Sequence, residues 1–167
     1  KIGTDADVVI NIQGDEPFVD ASQLKTLQSL FDCEETQIGT LGKRFDSIEA
    51  TENPNSPKID CDKQGFALYF SRSVIPFVRG QEPKSWLNHY PYLKHLGLYA
   101  YRREVLREVT QLPQSPLELA ESLEQLRWLE NGYRIRVGLT EVETVGIDTP
   151  ADLERAEQFL INQGKQR

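Results

Sequence analysis

The chain has 167 residues, 38% hydrophobic and 27% charged, enough to bury one core in the balance usual for a soluble globular domain. A formal net charge of -7 excludes generic nucleic-acid binding, which needs a basic surface. No apolar run approaches the roughly 20 residues that cross a bilayer and no signal peptide is visible, so no membrane insertion is expected.

Val8-Val9-Ile10-Asn11-Ile12 reads as a buried central strand, broken by Gly14 and Pro17. Asp15 and Glu16 are thereby pinned at its carboxyl end, where open α/β sheets bind ligands. Asp20 with Gln23 forms a capping box that opens a helix running to about Asp32. Cys33 and Cys61 are too few for a disulfide framework and match no metal spacing, so a cytoplasmic location with reduced thiols is the simplest expectation. Ile38–Leu41 reads as a short strand, Asp46–Glu49 as a helical start, and 53–57, with two prolines, as a loop.

A hairpin follows: Lys58–Cys61, a turn at Asp62–Gly65, and a return strand Phe66–Phe70 of period two that ends at Ser71-Arg72. Its alternation puts Arg72 on the side of Leu68 and Phe70. Residues 79–92, with Gly80, Pro83, Asn88 and Pro91, read as a mobile surface loop. His95–Tyr101 resumes a strand, and Arg103 to about Leu112 is a short amphipathic helix. Ser115, Pro116 and Glu118 then start one helix that ends at Asn131-Gly132. Leu119, Leu123 and Leu126 line its buried face, and Glu121, Glu124, Gln125 and Trp128 form a second, polar face. Tyr133–Leu139 and Glu143–Ile147 are strands, and a last helix starts near Pro150. Alternating strands and helices make this an α/β chain.

Asp15 and Asp148 each follow a strand. Two such carboxylates can hold Mg²⁺ while leaving coordination sites for phosphate and water, an arrangement suited to phosphoryl or nucleotidyl transfer. Asp148 is equally placed to cap the last helix. Arg72 could clamp a carboxylate or phosphate at two points, or form a surface salt bridge. His95 could hydrogen-bond a substrate, or be simply a partly buried polar residue. Glycine loops of the G-x-x-x-x-G-K-[ST] and G-x-G-x-x-G types are absent, as is a nucleophile elbow.

Val9–Pro17, Phe66–Pro76, Lys94–Arg102, Ser115–Glu118, Leu123–Arg127 and Val145–Leu153 together resemble the 3-deoxy-manno-octulosonate cytidylyltransferase family, the CMP-Kdo synthetases. The resemblance implies an α/β fold of the nucleotide-diphospho-sugar transferase type, a mixed sheet flanked by helices, with a smaller β-rich arm that dimerises. That arm corresponds to about residues 58–112 of a single partial domain spanning 1–167. The implied activity is transfer of CMP from CTP to the sugar acid Kdo, giving CMP-Kdo and pyrophosphate for lipopolysaccharide synthesis. Asp15 and Asp148 match the family's Mg²⁺ ligands. Arg72, His95, Tyr99, Glu124 and Gln125 fall on its sugar-acid site, and Gln13 matches a residue beside cytidine and sugar. CMP-sialic acid synthetase is a neighbouring enzymatic alternative; the Arg72 and His95 segments are more like the Kdo branch.

The family begins with a nucleotide-binding half that this sequence does not show, roughly 80–90 residues by comparison with a typical domain. Together with Lys1 in the first position, this leads to the expectation of an amino-terminally shortened chain, inactive by itself. A non-catalytic dimerisation and sugar-binding module is the alternative reading from outside the enzymes.

Overall fold

The computed structural model describes residues 6–12 and 19–142. Its strands are β1 (Val8–Asn11), β2 (Ile38–Arg44), β3 (Lys58–Cys61), β4 (Ala67–Ser71), β5 (Leu93–Arg102) and β6 (Ile135–Leu139). Its helices are α1 (Ala21–Ser29), α2 (Ile48–Glu52), α3 (Arg103–Val109), α4 (Pro116–Glu121) and α5 (Gln125–Glu130). The expected strand at 143–147 and the helix after it lie outside the described residues.

The capping box is formed as expected. The Asp20 carboxylate accepts the Ser22 N–H at 2.7 Å, and the Asp20 N–H donates to Gln23 Oε1 at 3.0 Å. The strands make one sheet in the order β4-β3-β5-β2-β6, with β1 also against β5. β2 and β6 are parallel and the remaining pairs antiparallel, so the sheet is mixed. β2 runs along one side of β5, which leaves the other side to β3 and β1. β3 faces Leu93 and Lys94; β1 faces Tyr99 to Arg102.

Helix α1 covers one face of the sheet over Leu27, Leu41, Leu96, Leu98 and Ala100. Gly138 permits a close approach there, since a β-carbon on it would stand 2.9 Å from Thr26 Cγ2. Helices α3 and α5 cover the opposite face over Ile38, Phe70, Tyr99, Tyr101, Leu126 and Trp128. The sheet also curls towards closure. Phe66 bridges Arg136, and the Val137 N–H donates to Gly65 O at 2.9 Å.

Four expectations are corrected. β1 is not fully buried: Val8 to Ile10 are half-buried and Asn11 and Ile12 exposed, because β5 is its only strand partner among the described residues. Leu68 does not share the buried face of Phe70. The β3–β4 register slips between Asp60 and Cys61, leaving Leu68 as the extra, exposed residue of a bulge while Phe70 is fully covered. Residues 79–92 lie largely at the surface as expected but are not irregular throughout, since a 3₁₀ turn forms at Pro83–Asn88 and Trp86 and Tyr92 are buried. The buried Trp86 indole N–H donates to Gln81 O at 3.1 Å, and the buried Tyr92 hydroxyl donates to Pro76 O at 2.6 Å.

Finally, the single helix expected from Ser115 is two. Ser122 turns left-handed at φ 50°, which ends α4, and α5 begins at Gln125. Consequently Leu119 is exposed, whereas Leu123 and Leu126 are buried. The Glu121 and Ser122 carbonyls are satisfied by the Arg72 side chain, from 49 and 50 residues away, instead of by another helical turn.

Candidate functional site

The candidate site forms on the α5 side of β5. Residues four apart on a regular strand lie about 13 Å apart. His95 and Tyr99 are four apart, yet their ring centroids are 5.3 Å from each other. The cause is a bulge that sets three residues of β5 against one of β2. Gly42 and Thr40 of β2 pair with His95 and Tyr99, so Leu96 to Leu98 face Leu41 alone. Gly97 provides the φ of +70° that this kink requires. His95 also meets Phe70 edge-on at 5.2 Å, and Tyr99 meets Trp128 edge-on at 5.0 Å.

His95 keeps part of its surface accessible, but the surrounding atoms strip it of water. Burial thereby pushes its pKa down to about 3, so the ring is neutral at neutral pH. Its Nε2 lies 3.1 Å from the Thr40 hydroxyl, which donates to Leu98 O at 2.8 Å. Burial, then Tyr101 and Glu124, push the Tyr99 hydroxyl well up from its ordinary value, opposed by the adjacent Thr40 hydroxyl. That Tyr99 hydroxyl makes no well-formed hydrogen bond among the described residues, and neither does Gln125 Nε2; both atoms are buried. Gln125 stands one helical turn before Trp128 and is 5% exposed.

Glu124 is largely exposed and held by Arg127, whose Nη2 lies 2.7 Å from Glu124 Oε1. Arg127 is in turn fixed by the buried Glu118, with Nε 3.0 Å from Oε2 and Nη2 3.0 Å from Oε1, and by Leu112 O at 2.9 Å. Glu118 also accepts the Ser115 N–H at 3.2 Å. A cavity of about 320 Å³ opens beside Glu124, walled by Asn11, Tyr101, Leu106, Val109 and Trp128 among others. Among the described residues that line it, Glu124 is the one that is charged.

Arg72 follows β4. It donates Nε to Glu121 O at 2.7 Å, Nη1 to Pro54 O at 2.9 Å and Nη2 to Ser122 O at 3.2 Å. Its N–H and the Ser71 hydroxyl donate to the Glu121 carboxylate at 2.9 and 2.7 Å. Three of the five guanidinium N–H groups therefore hold main chain. Beside it Lys58, fully covered, donates Nζ to Asn53 O and Ser56 O at 3.0 Å and to Arg72 O at 2.5 Å. Burial, then the Arg72 charge, push the Lys58 pKa down, opposed by Glu121.

The structure thus brings His95, Tyr99, Glu124 and Gln125 to one face, with Arg72 tied to the end of the helix before them. Gln13, Asp15 and Asp148 lie outside the described residues. Among the described residues, no cluster of three His, Cys, Asp or Glu could hold a metal ion. Sequence reasoning missed Thr40, Lys58 and Glu121 as organisers. A threonine inside the apolar run Ile38–Leu41 was the available sign for the first; Lys58 carried none.

A helix-flanked mixed sheet with a polar, partly unsatisfied floor beside a cavity makes this an α/β domain with a candidate ligand site. The chain belongs to the cytidylyltransferase family, whose model matches residues 1–135. It is 62% identical over 163 residues to the 3-deoxy-manno-octulosonate cytidylyltransferase of Phocaeicola vulgatus, covering 96% of this chain and 65% of the relative. It is 61% identical to that of Bacteroides thetaiotaomicron, covering 97% and 66%. Among solved structures it resembles a CMP:2-keto-3-deoxy-manno-octonic acid synthetase complexed with CTP. The TM-score is 0.85 at 40% identity, over 96% of this chain and 64% of that one. A Bacillus anthracis glucose-1-phosphate thymidylyltransferase, at 17% identity and TM-score 0.54, shares the fold. The chain spans slightly less than two thirds of the length of these curated relatives.

Proposed function

We propose that the intact protein transfers CMP from CTP to the sugar acid Kdo, giving CMP-Kdo and pyrophosphate for lipopolysaccharide synthesis. The observation that carries this reading is the 62% identity to a 3-deoxy-manno-octulosonate cytidylyltransferase across nearly the whole chain. Its chemistry agrees with the site. Tyr99 and Gln125 hold buried hydrogen-bonding capacity in reserve, and Glu124 adds a carboxylate at a cavity rim. Amide, phenol and carboxylate groups together suit the hydroxyls of a sugar.

In this reading His95, Tyr99, Glu124 and Gln125 bind and orient the sugar acid, with Gln13 beside it and the cytidine. The sugar 2-hydroxyl oxygen bonds to the α-phosphorus of CTP. The bond from that phosphorus to the bridging oxygen breaks, pyrophosphate leaves, and the hydroxyl proton is released. Asp15 and Asp148 offer the hard carboxylate oxygens that Mg²⁺ takes. The ion would supply charge neutralisation at the triphosphate. Arg72 serves the same site by fixing the end of α4, and it keeps N–H groups in excess of its three main-chain bonds.

The segment 58–112 is proposed to form the dimerisation arm of a homodimer. The exposed Leu68 and Phe77, 62% and 71% accessible, support that reading. A cytoplasmic location follows from the two substrates, and no described helix is long and apolar enough to cross a membrane.

Incubation of the intact protein with CTP, Kdo and Mg²⁺ is expected to release pyrophosphate only when all three are present. Turnover with neuraminate and none with Kdo would transfer the assignment to the sialic acid branch. Sedimentation checks the dimer.

A further inference from the structure

The Thr40 hydroxyl has one proton. It lies 2.8 Å from Leu98 O, and a carbonyl can only accept, so that contact uses the proton. Towards His95 Nε2, 3.1 Å away, the hydroxyl can therefore only accept. A neutral imidazole carries a single N–H, and the bond made by one nitrogen decides the state of the other. The ring is neutral, since its pKa lies far below the physiological range. We propose that Thr40 is a positioning residue that fixes His95 as the Nε2–H form, which leaves Nδ1 as the ring's hydrogen-bond acceptor for the sugar acid. This rests on the reading of His95 as a sugar-acid contact.

The consequence is a rule for what His95 can recognise. An acceptor nitrogen pairs with an alcohol O–H and repels a carboxylate. His95 therefore reads a hydroxyl of the sugar, and the sugar's carboxylate is bound elsewhere. The surroundings keep the ring in place for this. Phe70 and Tyr99 flank it at 5.2 and 5.3 Å between centroids, and Thr40 is fully buried. Thr40 itself leaves the substrate untouched and acts through His95.

The test is nitrogen-15 NMR of histidine-labelled protein without ligand, in a His89→Gln background that leaves His95 as the one histidine of these 167 residues. Expected is a single Nε2–H form with a hydrogen-bonded, slowly exchanging ring proton. Thr40→Ser should keep that proton, and Thr40→Val should lose its protection. An Nδ1–H form in the parent, or the same protected proton in a folded Thr40→Val protein, overturns the proposal. If Thr40→Val does not fold, the parent and Thr40→Ser spectra still decide it. In turnover, Thr40→Val should raise KM for the sugar acid about tenfold, the loss of one hydrogen bond, with KM for CTP unchanged; equal effects on both also overturn it. The spectra need no substrate, so a failure of the Kdo assignment would leave them standing.

Discussion

Two neighbouring regions handle polar groups in opposite ways. Around Lys58, Arg72 and Glu121 the polar groups are committed. An ammonium holds three carbonyls, a guanidinium holds three more, and a carboxylate takes a hydroxyl and an N–H. Around His95, Tyr99 and Gln125 the reverse holds: buried donors are left without partners among the described residues. Burying an unpaired donor lowers stability by roughly 1–3 kcal/mol. The first region is therefore an anchor that settles where α4 ends and α5 starts, and the second holds capacity that a ligand can use.

That contrast is open to direct attack. The largest effect should come from Lys58→Met, which strands three carbonyls in the anchor. Urea unfolding is expected to show a loss of at least about 3 kcal/mol. A loss under about 1 kcal/mol would mean that the anchor holds little.

Next is a pH effect in the second region. His95 stays neutral in the fold down to about pH 3, whereas an unfolded histidine takes a proton near pH 6.5. Between those values the unfolded state binds more protons, so stability falls as pH falls. The contribution approaches about 1.4 kcal/mol per pH unit in the middle of that window. His95→Gln should flatten the stability profile by that slope, and an unchanged profile would show that the ring protonates freely when folded.

Smaller still are Tyr99→Phe and Gln125→Met. Each removes a buried polar group that has no described partner, so unfolding free energy should rise, by about 1 kcal/mol. KM for the sugar acid should nonetheless rise about tenfold. A large stability loss with unchanged KM would make these residues part of the anchor instead. Smallest in stability is a labelling contrast. Burial, then Asp60 and Asp62, push the Cys61 thiol up to about 12, so it remains protonated and unreactive at pH 8. Alkylation followed by peptide mapping should find Cys33 modified well before Cys61.

Local signals in the sequence were reliable where the determining partners are local. Asp20 with Gln23, and Ser115 with Glu118, meet within three residues, and the hairpin turn at Asp62–Gly65 closes on itself. The misreadings arose where a distant residue decides. Ser122 stops a helix because Arg72, far away in the chain, takes its carbonyl. Leu68 leaves its face because the opposing strand is one residue short there. Helical spacing put Glu124 and Gln125 on one face and His95 stood out alone, but the four were joined into one site only through resemblance, since no periodicity relates the strand to the helix. Their closeness depends on the Gly97 bulge and on the break between α4 and α5, neither of which a helical or alternating pattern contains.

Because Leu96, Gly97 and Leu98 all stand opposite Leu41, β5 contains two residues more than its pairing with β2 consumes. Side chains alternate between faces with every residue. Deleting two residues here would keep His95 and Tyr99 on the same face, in register with Gly42 and Thr40. Deleting one would turn the preceding half of the strand over and exchange its buried and outward side chains. Changes of chain length at this point are therefore tolerable in even steps only, which makes Gly97 a place where this domain can lose residues without losing its inside.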